Sequence, residues 1–166
     1  DPAGRLIAQA EHVPIHVGAL PWAVQAVQGF FGDRVRPGDV FLLNDPYHGN
    51  NHLPDLTAFV PVFAGGRLLF WSINRAHQSD IGGATHGAYN PGATEIWQEG
   101  IRITPLRLYD AGVLREDVLL MIATNVRHPR DFRGDLAAMI GSARGGGRRL
   151  QALLAEYGVD RTLAGV

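Results

Sequence analysis

The chain has 166 residues, 46% of them hydrophobic, which is enough for one domain with a sizeable core. Formal net charge is -1 without a basic run, which argues against nucleic acid, and no apolar stretch is as long as a bilayer span. There is no cysteine, so any metal must sit on nitrogen and oxygen, and all fifteen cationic side chains are arginine, which removes Schiff-base and P-loop lysine chemistry.

From the N-terminus, DPAGRLIAQA lacks the basic end and apolar stretch of a signal peptide, and Leu6–Gln9 reads as a short strand. The opening Asp-Pro without an initiating Met suggests a piece of a longer polypeptide. Pro21 suits the first turn of a helix running to about Phe31, with Trp22, Val24, Val27 and Phe31 on one side. An Arg36-Pro37-Gly38-Asp39 turn leads into a buried strand, Val40–Leu43. Thr57–Phe63 and Arg67–Asn74, joined by Ala64-Gly65-Gly66, predict a β-hairpin. A glycine-rich loop follows, then a short helix around Thr94–Glu99 and an extended Ile101–Tyr109.

The last third is helical. Arg115–Asn125 is one segment, and a second opens at Pro129 and continues to Tyr157, with Gly158 as its C-cap. Gly145-Gly146-Gly147 interrupts the pattern at about 1 kcal/mol per glycine in propensity, and a continuous helix is favoured across it. The pattern predicts one α+β domain over residues 1–166: a small mixed sheet with a hairpin, packed by helices, the last of them long.

Between β-type segments lies NDPYHGNNHLPD, residues 44–55, crowded with metal-type donors. His48 and His52 are four apart, as in helical zinc motifs, but Pro46, Gly49 and two Asn oppose a helix and no Glu follows His48. A loop arrangement fits better. His52 and Asp55 are three apart across Pro54, and the hairpin turns the chain back so that His77 returns towards them. Two imidazoles and one carboxylate leave open positions on a divalent ion. Asp45, His48 and Asp80 are then candidates to orient the imidazoles or move protons. A blander reading has Asp45 and His48 capping turns and His77 as a hydrogen-bonded buried histidine. Glu95 and Glu99 read as solvated helix carboxylates, Arg127 as a pairing residue, and His12 and His16, which flank Pro14, as structural. Nothing marks a nucleophile elbow near Ser72 or Ser79.

GDVFLLNDPYHGNNHLPDLT, NRAHQSDIGG, ATEIWQEGIRITP, NVRHPRDFRGDLAAMI and GGGRRLQALL occur in this order. Together they resemble the hydantoinase B/oxoprolinase family, from about Gly4 to Tyr157. That family includes N-methylhydantoinase subunits, part of ATP-dependent 5-oxoprolinase, and the metal-bearing subunits of acetone and acetophenone carboxylases. The resemblance implies a divalent metal (Mn, Zn or Fe) on His52, Asp55 and His77. It also implies that ATP is bound by a hydantoinase A-type partner subunit, and that this chain is the N-terminal portion of a longer one. The expected activity is ATP-dependent opening of a cyclic amide. The alternatives are ketone carboxylation and a non-catalytic assembly role. A cytoplasmic oligomer is expected. Where many members carry glycine before HLPD, this chain has Asn50-Asn51, which would alter the pocket or contact a bound anion.

Overall fold

Two long strands joined by two residues form the centre of the fold: β2, Asp55–Ala64, and β3, Arg67–His77. Gly65 and Gly66 between them have φ of +57° and +75°, the left-handed pair that a tight two-residue hairpin requires. The computed structural model describes residues 1–11 and 13–165. His12, expected to be structural, lies outside the described residues. The other strands are β1, Val40–Leu43, β4, Leu106–Asp110, and β5, Val113–Leu114. They form one five-stranded sheet in the order β3-β2-β1-β4-β5. Every pairing is antiparallel, so the α+β class holds and the expectation of a mixed sheet is corrected. Successive neighbours need only turns or loops here, whereas a parallel pair would need a crossover.

Residues alternate between the two faces of the sheet, and the register shows what each face carries. Val40, Leu42, Leu56 and Ala58 face α3, Glu116–Thr124, and α4, Pro129–Tyr157, through Ile122, Phe132, Leu136, Met139 and Ile140. Phe41, Leu43, Phe59, Trp71 and Ile73 face the other way, against Ala23, Val24, Val27 and Phe31 of α2, Leu20–Phe31. Phe41 and Phe59 are fully buried, and truncating either to alanine should cost about 3–5 kcal/mol. Along this second face β2 and β3 turn polar at one end. Thr57 lies across from Arg75 and Asp55 across from His77.

The long helix is continuous through its triple glycine, as expected, because that stretch packs tightly on the sheet. A Cβ on Gly146 would lie 2.6 Å from the Ser72 hydroxyl, and one on Gly147 would touch Val62. Leu154 is buried with Val62, Leu69 and Phe70, while Leu153 is exposed.

Other expectations are corrected. Leu6–Gln9 joins no strand and instead lines a cavity. Trp22 is 61% exposed, because Ala23 takes the inward position. Around Thr94–Glu99 only a 3-10 turn forms, Ile96–Gln98. Short elements that were not anticipated include β5, α1 at Pro14–Gly18, and α5 at Val159–Ala164. No helix among the described residues is long and apolar enough to cross a membrane.

Candidate metal centre

The polar end of the second face meets the loop between β1 and β2, and the sequence of that loop explains its path. Asp45 opens it by accepting the Tyr47 N–H, which starts a 3-10 turn, Pro46–His48. Gly49 closes the turn at φ +86°, where a Cβ would sit 2.5 Å from the Trp22 backbone carbon. The loop therefore lies directly on α2, and only glycine fits. Asn50, nearly buried, directs its amide nitrogen at the carbonyls of Asn44, His52 and Asp55 at 2.7–3.0 Å. Two hydrogens shared among three acceptors draw both ends of the loop together. The neighbouring Asn51 donates to the Ile15 carbonyl at 2.8 Å. The Asn pair thus organises the backbone on both sides of His52.

This loop delivers His52 to Asp55 and β3 delivers His77. The three side chains offer one donor atom each within 4.8 Å of one another. His52 Nδ1 lies 2.8 Å from Asp55 Oδ2, and the two imidazole rings are 5.2 Å apart between centroids. Asp55 is 1% exposed, and its Oδ1 has no hydrogen-bond partner among the described residues. A buried carboxylate whose charge is not fully compensated is costly, and a cation bound by it would remove part of that cost. Two nitrogen donors and one oxygen suit a divalent transition ion at bonds of about 2.0–2.2 Å. The residues present therefore fit a metal.

A guanidinium stands nearby without touching the carboxylate. Arg75 donates from Nε to the Thr57 hydroxyl at 2.7 Å and from Nη1 to the His16 carbonyl at 2.8 Å, while Nη2 is buried with no partner among the described residues. Burial pushes the Arg75 guanidinium down to about 10, against the upward pull of the Asp55 charge. At neutral pH it stays cationic and offsets part of the carboxylate's charge.

The other candidates lie elsewhere. Asp45 is fully buried and accepts from Arg102 at 2.9 Å and from the Tyr47 N–H, with His48 Nδ1 at 3.0 Å. Burial pulls its pKa upward, but the hydrogen bonds from Arg102, Tyr47 N–H and His48 outweigh burial and hold it below the ordinary value. Asp80 accepts from the Arg127 side chain at 2.8 Å and from its backbone N–H. Among the described residues no side-chain hydrogen bond joins Asp45, His48 or Asp80 to His52, Asp55 or His77. His86 is exposed on the glycine-rich loop.

One neighbour of the cluster was missed. His16, on α1, places Nε2 3.2 Å from Asp55 Oδ1, at ion-pair distance but out of hydrogen-bond alignment. It comes from 36 residues before His52 in the chain, and only the spacing His-x-x-x-His around Pro14 marked it. His16 and Arg75 also border a cavity of about 540 Å³ with apolar walls from Leu6, Val17, Val24 and Ile73. His52, Asp55 and His77 are not among its walls.

The sequence profile of the hydantoinase B/oxoprolinase family matches residues 1–166. The chain is 43% identical over 159 residues to the caprolactamase subunit beta of Pseudomonas jessenii, an alignment covering 96% of this chain and 27% of the relative. The crystal structure of the ATP-dependent caprolactamase from Pseudomonas jessenii superposes with a TM-score of 0.87 at 44% identity, covering 91% of this chain and 26% of that one. The nucleotide-free structure of acetone carboxylase superposes at 0.80 and 26% identity, over 88% of this chain and 20% of that one. The chain thus spans about a quarter of the length of these relatives.

Proposed function

The chain belongs to the hydantoinase B/oxoprolinase family, and from that premise we propose that it is the metal-bearing part of an ATP-dependent enzyme that opens a cyclic amide. The observation that carries this reading is the convergence of His52, Asp55 and His77, one donor atom from each within 4.8 Å of the others, with Asp55 buried. A divalent ion held there would polarise a carbonyl or activate water. The two imidazoles supply neutral nitrogen donors and Asp55 supplies the negative charge. Arg75, fixed by Thr57 and the His16 carbonyl, keeps a positive charge beside that carboxylate. Asp45 and Asp80, each bound to an arginine, hold the segments that flank the cluster in place.

With no lysine and no Gly-Lys-Ser/Thr, the chain carries no recognisable nucleotide motif, and we assign ATP to a hydantoinase A-type partner subunit. The likeness to acetone carboxylase favours one second reading, carboxylation of a ketone with the same cluster gripping the reacting oxygens.

The test is metal analysis of the purified protein followed by turnover with ATP and Mn(II), with and without the partner. Candidate substrates are a lactam, 5-oxoproline, and acetone with bicarbonate. Lactam-dependent ATP hydrolysis only with the partner is the expected result. Turnover restricted to acetone and bicarbonate would favour the carboxylase reading. Substrate-dependent ATP hydrolysis by the protein alone would overturn the division of labour.

A further inference from the structure

We propose that His16 is a positioning residue of the metal centre, holding the second oxygen of the Asp55 carboxylate from a helix outside the ligand cluster. This rests on the metal reading above.

The two oxygens of Asp55 meet two different imidazoles. Oδ2 is 2.8 Å from His52 Nδ1, and Oδ1 is 3.2 Å from His16 Nε2. His16 is not one of the three residues whose donor atoms group together. A carboxylate that binds an ion through one oxygen leaves the other to be satisfied. At 1% exposure, water does little for it. Among the described residues Oδ1 has no hydrogen bond, and the His16 imidazole is the ring nitrogen within ion-pair reach. A small rotation of the carboxylate or the imidazole completes that bond, which would fix the plane of the carboxylate and so the direction of its other oxygen.

His16 is itself held with unusual care for a residue on a five-residue helix. Its carbonyl accepts from Arg75 Nη1 at 2.8 Å, and the preceding carbonyl, of Ile15, accepts from Asn51 at 2.8 Å. Arg75 Nη1 also reaches the Asn51 side-chain oxygen at 3.4 Å. Both anchors flank the cluster: Arg75 is two residues before His77 on β3, and Asn51 directly precedes His52. The same two side chains therefore tie α1 to the strand and the loop that supply the ligands. A histidine that merely filled space would not need its main chain gripped from both sides of the cluster.

The test compares the parent protein with His16→Ala and His16→Gln, the latter returning a nitrogen donor near the place of Nε2. Mn(II) and Zn(II) affinities come from calorimetric titration, and melting temperatures are measured in chelator. His16→Ala should weaken binding about 10–100-fold, the range for a partner that orients a ligand. His16→Gln should recover most of that loss, and the metal-free melting temperatures of the three proteins should agree. Unchanged affinity in His16→Ala overturns the inference and leaves the metal reading standing. So does an equal loss in both variants that follows a fall in metal-free melting temperature, which would mark a fold effect. A parent protein that binds neither ion overturns the metal reading and this inference with it.

Discussion

Two buried aspartates, ten residues apart, each face a histidine three positions away. Asp45 has His48 at 3.0 Å and Asp55 has His52 at 2.8 Å. In sequence they are near mirror images, DPYH and HLPD, yet their surroundings differ in one respect. Asp45 receives an arginine directly, Arg102 at 2.9 Å, together with a backbone N–H. Asp55 has Arg75 close enough for its charge to act, but the guanidinium binds Thr57 and His16 instead, and Oδ1 makes no hydrogen bond among the described residues. Where a protein needs a buried carboxylate only for structure, an arginine neutralises it completely. On the proposed metal reading, the arginine near Asp55 is kept one step away so that the carboxylate can bind a cation. The same reasoning separates Asp80, bound by Arg127, from Asp55.

The sharpest way to break this comparison is to remove each charge in turn. Asp55→Asn should reduce Mn(II) affinity by more than the roughly 10–100-fold typical of an outer partner, while Asp45→Asn should leave affinity close to that of the parent. Calorimetric titration of both variants decides it, and equal losses would mean the two sites are not distinct. Next in size is the arginine itself. Arg102→Ala leaves a fully buried Asp45 with His48 and one N–H, and should cost about 2–3 kcal/mol in urea unfolding. That is less than a fully buried pair would lose, because Arg102 keeps part of its surface in water. It should not create a metal site at Asp45, since among the described residues Asp45 and His48 are joined by no third ligand. New Mn(II) binding in that variant would show that the arginine alone makes the difference.

The grouping of His52, Asp55 and His77 was legible because it depends on local pattern. The hairpin follows from alternation and a Gly-Gly turn, and an antiparallel register fixes which residue of β3 stands opposite Asp55. His16 was not legible in the same way. Its approach to Asp55 depends on how α1 docks, and that is set by Asn51 and Arg75, whose hydrogen bonds leave no period in the sequence. The distinction between Asp45 and Asp55 was hidden for a related reason. It turns on Arg102, 57 residues from Asp45, and on a guanidinium that passes Asp55 by. Elsewhere the failures are of scale. β5 is two residues long, and Leu6–Gln9 is apolar because it faces a cavity, not because it joins a ladder. The triple glycine has a legible propensity cost, but its compensation is contact with Ser72 and Val62 on the sheet.

Acid should separate the two aspartates along the pH axis. Asp45 has a carboxyl held below its ordinary value, since Arg102, Tyr47 N–H and His48 outweigh the upward pull of burial. A group lowered in the folded state adds stability that is complete above its unfolded value, about 3.9, and is lost as pH falls through the folded value below that. Urea midpoints should therefore drop below about pH 4 in the parent, and less steeply in Asp45→Asn. Metal affinity should fail much earlier, as pH falls through about 6.5, because protons compete with a metal for imidazole nitrogen. Affinity that stays flat from neutral pH to about pH 5 would mean that histidines are not the ligands.

The smallest effect belongs to His48, and it tests whether resemblance in sequence carries resemblance in role. The His48 side chain is 40% exposed, and among the described residues its hydrogen bond is to Asp45 Oδ2, which Arg102 also occupies. Removing it strands no buried acceptor, because Arg102 continues to occupy the same Asp45 oxygen and to neutralise the carboxylate. His48→Ala should therefore cost no more than about 0.5–1 kcal/mol of stability, in line with an ordinary exposed hydrogen bond. Mn(II) affinity should stay within error of the parent. His52 is comparably exposed, at 36%, so a general effect of losing a loop histidine would appear in both variants. His52→Ala should instead lose most of its metal binding with a similarly small change in metal-free unfolding. If His48→Ala lowers affinity as His52→Ala does, His48 acts at the centre although it lies outside the three-residue group. The arginine-filled site would then have to be counted as part of the metal site.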